Sequence, residues 1–314
     1  MEHMTKTAIL GAGVIGASWT ALFLAAGKDV HIYDPSPTVE DDVKAYVETA
    51  WPTLIELGLA VDGRRGALQF FASAGDAVKN CQFIQENVPE RLDIKHAIFA
   101  EIEPHLERDA IVCSSASGLM VHEMQDGWKN PSRFILGHPF NPPHLIPLVE
   151  LLANEKTADD VISLAEAFYK SVGKITIKVN KEVPGHVANR LQAALWREAI
   201  HLVNEGVASV EDVDKAVWSG PGLRWAAMGP NMLFHLGAGE GGLDSFCERY
   251  TPSFNRWWDD LGEPRLDPEI SANLGQGVRD EAGTKSVSEL ATERDQLISA
   301  ILKHTAHIRG KGRT

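Results

Sequence analysis

The sequence predicts an α/β protein in which a mostly parallel sheet domain is followed by a smaller all-helical domain. In the first half, short apolar runs alternate with stretches of helical periodicity, a pattern typical of β-α-β units on a parallel sheet. After Pro184 and Gly185 the apolar residues recur only at helical spacing, and no later segment has a strand pattern. A length of 314 residues suits about two domains. We therefore expect one domain over residues 1–183 and a second over residues 184–314.

The individual elements follow from the same patterns. The candidate strands are residues 7–10, 30–33, 69–72, 83–87, 110–114, 134–138 and 174–179. Helical stretches lie between them, the first over residues 14–26. In the second domain, Gly206 is placed to end one helix, and Ser209 with Asp212 has the spacing of a helix cap that begins the next.

Composition and charge exclude several classes of protein. The chain has 30 Lys and Arg against 43 Asp and Glu, and this net charge of −13 argues against binding nucleic acid or an anionic membrane surface. Cys81, Cys113 and Cys247 lie far apart, so we expect no disulfide framework and no thiolate metal site, as in a protein of the reducing cytosol. No apolar run is long enough to span a bilayer.

A glycine-rich turn follows the first predicted strand and opens the first helix, in the order Gly11-Ala-Gly13-Val14-Ile15-Gly16. In this pattern the first glycine permits a tight turn, the second lets the backbone approach a pyrophosphate, and the third allows close packing of helix and strand. The helix N-terminus offers free N–H groups and a positive dipole end to the phosphates.

The second predicted strand ends near Asp34, 18 residues after Gly16. A carboxylate at this place accepts hydrogen bonds from the adenosine ribose and repels a 2′-phosphate. No arginine lies next to Asp34 in the sequence, so NAD is favoured over NADP. Strand, turn, helix and acid together predict a Rossmann-type NAD-binding domain.

The best candidate for an acid/base group is His138, at the carboxyl end of a predicted strand, where parallel sheets bind ligands. Oxidation of an alcohol needs a group that takes the hydroxyl proton, and imidazole does this near neutral pH. Glu150 follows after a short apolar segment and can fold back to orient the ring. A structural histidine is the plain alternative. No HExxH or GxSxG pattern supports metalloprotease or serine hydrolase chemistry, and no metal is expected.

Taken together, the motifs resemble those of the 3-hydroxyacyl-CoA dehydrogenase superfamily over roughly residues 5–235. The landmarks are the glycine turn with Asp34, Glu86-Asn-Val88-Pro-Glu90 with Lys95, Ser115-Ala-Ser117-Gly-Leu, His138-Pro-Phe140-Asn141-Pro with Glu150, Pro184-Gly-His-Val-Ala-Asn189-Arg, and Gly220-Pro-Gly before Met228-Gly-Pro230.

The resemblance implies roles for these residues. His138 corresponds to the general acid/base of the family and Glu150 to its partner, while Ser117 and Asn189 correspond to residues that hydrogen-bond the reacting oxygen. The cofactor side is expected to include Gly11, Gly13, Val14, Ile15, Gly16, Asp34, Val88, Glu90, Lys95 and Ser115. Ser115 stands where the family often has an asparagine. Plainer roles remain open: Ser117 can cap a helix, and Lys95 can be a surface charge paired with Asp93 or Glu90.

Two branches of the superfamily that do not use CoA resemble this chain further, the L-carnitine dehydrogenases and the lambda-crystallin/L-gulonate 3-dehydrogenase group. Residues 38–60 contain one lysine, Lys44, where CoA enzymes carry several for the CoA phosphates. Arg224 is suited to hold a free carboxylate bidentately, which a thioester does not need. Candidate substrate contacts are Arg224, Trp196, Trp225, Phe140 and Asn141, the tryptophans being able to bind a trimethylammonium group.

The expected function is NAD-dependent oxidation of the 3-hydroxyl of a small β-hydroxy acid, with L-carnitine converted to 3-dehydrocarnitine as the leading reaction. The alternatives are an L-gulonate 3-dehydrogenase, a 3-hydroxybutyryl-CoA dehydrogenase, and a structural crystallin-like protein without activity. The first domain is expected to bind NAD and the helical domain to serve substrate binding and dimerisation. The resemblance implies a homodimer, and the widely spaced cysteines favour a cytoplasmic location.

Overall fold

The computed structural model describes residues 4–60 and 64–310, with residues 306–310 described by their backbone alone. The chain forms two compact units. The first contains the residues up to Val187 together with those from Glu293 onward, and the second is Ala188–Thr292. The predicted fold class, an α/β domain with a mostly parallel sheet and a smaller all-helical part, is confirmed. The division between the units lies a few residues after the predicted boundary at residue 183. The sequence did not predict that the chain from Glu293 onward belongs to the first unit.

The first unit is built on an 8-stranded sheet. Its strands are β1 (Lys6–Leu10), β2 (Asp29–Tyr33), β3 (Leu68–Phe70), β4 (Phe83–Glu86), β5 (Ile111–Ser114), β6 (Phe134–Pro139), β7 (Leu148–Leu152) and β8 (Ile175–Lys178). They lie in the order β3-β2-β1-β4-β5-β6-β7-β8, and every neighbouring pair is parallel except β6 and β7. The order reverses between β1 and β4, and such a switch point opens a ligand crevice at the carboxyl ends of the strands.

Helices cover both faces of this sheet. They are α1 (Val14–Ala25), α2 (Val39–Glu56), α3 (Ala74–Ala77), α4 (Leu92–Ile102), α5 (Val121–Gln125) and α6 (Val161–Ser171). One apolar core joins α1, α2 and α6 to the sheet, and a second joins α3, α4 and α5 to it. Along β1, Ile9 belongs to the first core, and Ala8 and Leu10 belong to the second. This alternation follows from the period of two in a strand that is buried on both faces.

Each predicted strand overlaps an observed one, but β7 was not predicted as a strand. The segment is short, contains a charged residue at its centre, Glu150, and follows the prolines Pro142, Pro143 and Pro147. Such features normally argue against a buried strand. In the structure β7 lies between β6 and β8 and pairs antiparallel with β6, so that Glu150 stands opposite His138.

Helices are the only regular secondary structure in the described part of the second unit. Its helices are α7 (Ala188–Asn204), α8 (Val210–Ser219), α9 (Pro221–Ala227), α10 (Pro230–Gly237), α11 (Gly242–Asp260), α12 (Pro268–Ala282) and the first part of α13 (Val287–Gly310). Gly206 has a φ of +68° after α7, and the Ser209 hydroxyl accepts the Asp212 N–H at 3.1 Å to cap α8, as the sequence predicts. Among the described residues, no helix has the length and apolarity needed to cross a membrane.

Candidate active site

The glycine turn between β1 and α1 has the geometry of a phosphate-binding loop. Gly11 has a φ of +80°, and a Cβ on it would lie 2.7 Å from the Asn87 carbonyl carbon and oxygen. A Cβ on Gly16 would lie 2.0 Å from the Gly11 oxygen, so both positions require glycine. A Cβ on Gly13, in contrast, would meet no atom within 4 Å. This open side of Gly13 leaves room for a pyrophosphate to approach the backbone.

The helix that follows presents its amino end to the same crevice. No side chain caps the first turn of α1, which begins at Val14, so its N–H groups are available to a phosphate. Val14 is 62% exposed, whereas Ile15 packs against the core and anchors the turn. Val14 therefore lines the cavity beside the turn, and Ile15 holds the start of the helix against the core.

Asp34 is held in place at the end of β2. Its Oδ2 accepts the Ala12 N–H at 2.7 Å, and its Oδ1 accepts the Ser36 N–H at 2.9 Å. A cavity beside it is lined by Ala12, Gly13, Val14, Ala17, Asp34, Ser36, Val39, Asp42 and Tyr46. A carboxylate fixed next to the glycine turn, with no arginine or lysine in the lining, suits an adenosine ribose without a 2′-phosphate.

The sequence motif around residues 86–95 forms a buried ion pair. The Lys95 ammonium lies 2.6 Å and 2.8 Å from the two carboxylate oxygens of Glu86, and the two side chains are 1% and 0% exposed. Glu86 also accepts the Ser114 hydroxyl at 2.6 Å and the Val88 N–H at 2.7 Å. Lys95 is therefore buried and paired with Glu86, and the surface pairing with Asp93 or Glu90 is not observed, because the buried carboxylate of Glu86 needs a charged partner. Its ammonium also contacts the Val88 carbonyl at 3.2 Å.

Glu90 fixes the turn that follows β5. One of its carboxylate oxygens accepts the N–H groups of Ser117, Gly118 and Leu119 at 2.9, 2.6 and 3.1 Å. Partial burial opposes the charge, but these N–H donors outweigh it and hold the pKa of Glu90 below its usual value. The carboxylate thus positions the backbone that carries Ser117.

Ser115 takes part in an inward network. Its hydroxyl donates to Asn87 Oδ1 at 2.7 Å and accepts from Gln85 Nε2 at 2.8 Å and Trp19 Nε1 at 3.3 Å. The one hydroxyl proton of Ser115 is thus engaged by Asn87. Sequence reasoning did not single out Asn87, although it stands within the motif that begins at Glu86.

His138, Glu150 and Ser117 come together at the carboxyl ends of the strands. His138 Nδ1 lies 2.8 Å from Glu150 Oε2, and His138 Nε2 lies 3.2 Å from Ser117 Oγ. The side chains of His138 and Glu150 are 4% and 0% exposed. The other Glu150 oxygen accepts the Val187 N–H at 3.0 Å. Since a carboxylate accepts only, Nδ1 carries the ring proton and Nε2 is left as the basic nitrogen.

Two further rings pack against His138. The predicted substrate residue Phe140 meets it edge-on, with ring centroids 5.3 Å apart, and Asn141 follows as an exposed residue of the loop. The ring of His186 also lies near His138, with centroids 5.3 Å apart, and His186 is buried and has a φ of +52°. Burial lowers the pKa of His186. Sequence reasoning missed His186, although its motif was recognised.

The remaining predicted residues belong to the second unit. Asn189 is the second residue of α7 and is partly buried, and Trp196 lies further along the same helix, 53% exposed. Arg224 and Trp225 lie on α9, where Arg224 is exposed and Trp225 is 39% exposed. Within the described part of the chain, no group of three or more His, Cys, Asp or Glu side chains is arranged to hold a metal ion.

Known proteins similar to this chain agree with these features. Residues 6–183 match the 3-hydroxyacyl-CoA dehydrogenase NAD binding domain, and residues 185–266 match the C-terminal domain of the same family. An L-carnitine dehydrogenase of Streptomyces coelicolor is 42% identical over 307 residues, 98% of this chain and 96% of the relative. An L-carnitine dehydrogenase of Oceanobacillus iheyensis is 40% identical over 299 residues, 95% and 97% of the two chains.

The fold is shared with solved structures. The crystal structure of 5-formyl-3-hydroxy-2-methylpyridine 4-carboxylic acid 5-dehydrogenase, an NAD+-dependent dismutase, superposes with a TM-score of 0.81 at 30% identity and covers 95% of this chain and 97% of its own. The prediction of an NAD-binding domain is thereby confirmed. With both halves of its sequence matched and its Rossmann-type sheet in place, the chain belongs to the 3-hydroxyacyl-CoA dehydrogenase family.

Proposed function

We propose that this protein is an NAD-dependent dehydrogenase that oxidises the 3-hydroxyl of L-carnitine to give 3-dehydrocarnitine. The observation that carries the reaction type is the buried His138–Glu150 pair with the Ser117 hydroxyl at His138 Nε2. Relatives named L-carnitine dehydrogenases, about 40% identical over nearly the whole chain, support the choice of substrate.

The geometry suggests how the site moves a proton. NAD, when bound beside the glycine turn, would supply the acceptor for the hydride that leaves the substrate carbinol carbon. His138 Nε2 takes the hydroxyl proton, and Glu150 stabilises the imidazolium that results while keeping the ring in one orientation. Ser117 donates a hydrogen bond to the oxygen as it becomes a carbonyl, a role we also propose for Asn189. The proton, the hydride and the new C=O bond account for the two-electron oxidation.

The surface of α2 supports a substrate without CoA. CoA enzymes of this family need cations here for the phosphates, and α2 carries only Lys44. Its ammonium is 2.5 Å from Glu40 Oε1, so its charge is already paired. Asp41 and Asp42 add negative charge to the same helix. A polyanionic ligand would meet repulsion at this helix, whereas a zwitterion with a quaternary ammonium would not.

Arg224 is proposed to hold the substrate carboxylate. Arg224→Met is expected to raise the KM for L-carnitine by about 10- to 100-fold, because a charge-assisted bidentate contact is lost, and to leave the Kd for NADH within about twofold. Arg279→Met, at an exposed position on α12, is the matched control. Equal losses of substrate and NADH affinity in Arg224→Met would reject this role. Trp196 and Trp225 are proposed to contact the trimethylammonium group.

We also propose that the protein is a cytoplasmic homodimer. The described helices of the second unit expose large apolar side chains, among them Leu191 at 63% and Trp218 at 65%. Exposed apolar surface on this scale is typical of a face covered by another subunit. All three cysteines are free, in keeping with a reducing compartment. Light scattering at micromolar concentration is expected to give twice the chain mass of 34.3 kDa.

An absorbance assay for NADH at neutral to alkaline pH tests the substrate proposal. L-Carnitine is expected to give NADH with a kcat/KM far above those for L-gulonate, 3-hydroxybutyrate and 3-hydroxybutyryl-CoA. A preference for L-gulonate or for the CoA ester would assign the chain to that reaction instead. Activity with none of the four, in a protein that still binds NADH, would favour a structural role.

A further inference from the structure

The loop between β6 and β7, residues 140–147, is tied to the cofactor-binding helix α1. The Ser18 hydroxyl accepts the His144 N–H at 2.8 Å and lies 2.9 Å from His144 Nδ1. The Tyr46 hydroxyl, from α2, lies 3.3 Å from the same nitrogen. This loop carries Phe140, which packs against the ring of His138. Its conformation therefore bears on the substrate side of the site.

Lys174 makes the other attachment of this loop. It precedes β8 and is 6% exposed. Its ammonium donates to the carbonyl oxygen of Ile146 at 2.7 Å and to that of Pro143. It also stands 4.7 Å from the ring centroid of Trp19, the residue after Ser18 on α1. Through these contacts the Lys174 ammonium bridges the loop carbonyls and the Trp19 ring of α1.

Burying this ammonium has a cost that needs an explanation. No carboxylate among the described residues forms an ion pair with Lys174, and burial lowers its pKa to about 7. An apolar side chain would fill the same space without this desolvation penalty. Unlike an apolar side chain, a lysine donates hydrogen bonds to the two loop carbonyls and places a cation over the ring of Trp19.

We infer that Lys174 is a positioning residue that fixes the 140–147 loop, and with it Phe140 and Asn141, beside His138. The same ammonium holds Trp19, whose Nε1 donates to Ser115 Oγ at 3.3 Å on the cofactor side. Lys174 thus supports the 140–147 loop through its carbonyl oxygens, and the inferred role requires no contact with substrate or cofactor. This role in catalysis rests on the proposed function, whereas the attachment of the loop does not.

The test compares Lys174→Met with Lys178→Met. Lys178 is the last residue of β8, the strand that Lys174 precedes; it is 56% exposed and pairs with Glu166 at 3.4 Å, so it is a matched control. Lys174→Met is expected to lower kcat/KM for L-carnitine by about 10- to 100-fold, mainly through KM, because a loosened loop misplaces the substrate. The Kd for NADH is expected to stay within about threefold. Hydrogen exchange is expected to rise in a peptide covering residues 140–147 and to stay unchanged in Lys178→Met.

Each outcome bears on the inference. Unchanged exchange in residues 140–147 would overturn the attachment, and faster exchange with unchanged KM would overturn the positioning role. If Lys174→Met fails to fold, Lys174→Gln, which keeps a donor without the charge, is the second variant. An exchange rate equal to wild type in Lys174→Gln would then contradict the role of the ammonium. If the wild type oxidises no hydroxy acid, the exchange result still decides the attachment, so the two failures are distinguishable.

Discussion

His138→Gln is expected to lower turnover with L-carnitine by about 10²- to 10⁴-fold, the usual contribution of a general base. Glutamine can still hydrogen-bond Glu150 and Ser117, but it cannot take the hydroxyl proton. The glycine turn follows β1 and Asp34 follows β2, both away from the substitution, so NADH is expected to bind with near-normal affinity. Steady-state rates measured by NADH absorbance, with NADH binding followed by fluorescence, check both parts.

A matched control for this variant is His105→Gln. His105 is an exposed histidine in the short 3₁₀ helix Glu103–His105 of the same unit, so its loss tests the effect of removing any imidazole. His105→Gln is expected to keep wild-type turnover. Near-normal turnover in His138→Gln would contradict the assignment of the base, and a parallel loss of NADH affinity would point to a disturbed fold.

Lys95→Met is expected to lower the free energy of unfolding by about 3–5 kcal/mol, the usual cost of removing one partner of a buried ion pair. The reason is the Glu86 carboxylate, which is 0% exposed and would lose the ammonium 2.6 Å away that pairs with it. Urea unfolding followed by circular dichroism measures this loss as a lower midpoint.

Two further variants separate the ion pair from other effects of the substitution. Lys44→Met removes an exposed lysine, 53% exposed, from its pair with Glu40 and is expected to cost less than about 1 kcal/mol. Adding Glu86→Gln to Lys95→Met removes the unpaired charge and is expected to restore part of the lost stability. A single variant Lys95→Met as stable as wild type would show that the buried pair does not hold the β4 edge of the site.

Short-range patterns explain what the sequence predicted well. Gly11, Gly13 and Gly16 lie within one turn, and Asp34 ends the next strand, so their spacing alone defines the crevice. His138 was placed correctly at a strand end for the same reason. In each case the physical requirement, a backbone without Cβ or a side chain at a carboxyl end, acts over a few residues and leaves a visible pattern.

The elements and residues that the sequence predicted poorly depend on long-range contacts. The strand β7 depends on pairing with β6. Neither the prolines that precede it nor Glu150 at its centre indicates a buried strand. Lys95 looks like a surface charge in the sequence, since nothing local shows that Glu86 is buried beside it. His186 and Lys174 are similar cases, because burial and partners from other elements give them their surroundings. Such residues can be recognised only when the tertiary contacts are known.

In the proposed reaction, the hydrogen at C3 of L-carnitine passes to NAD while His138 accepts the hydroxyl proton. L-Carnitine deuterated at C3 tests this transfer, with the NADH formed analysed by mass spectrometry. We expect one deuterium in each NADH, a slower rate than with unlabelled substrate when hydride transfer limits turnover, and 3-dehydrocarnitine in equal amount. NADH without deuterium, or no NADH from L-carnitine while NADH still binds, would contradict it.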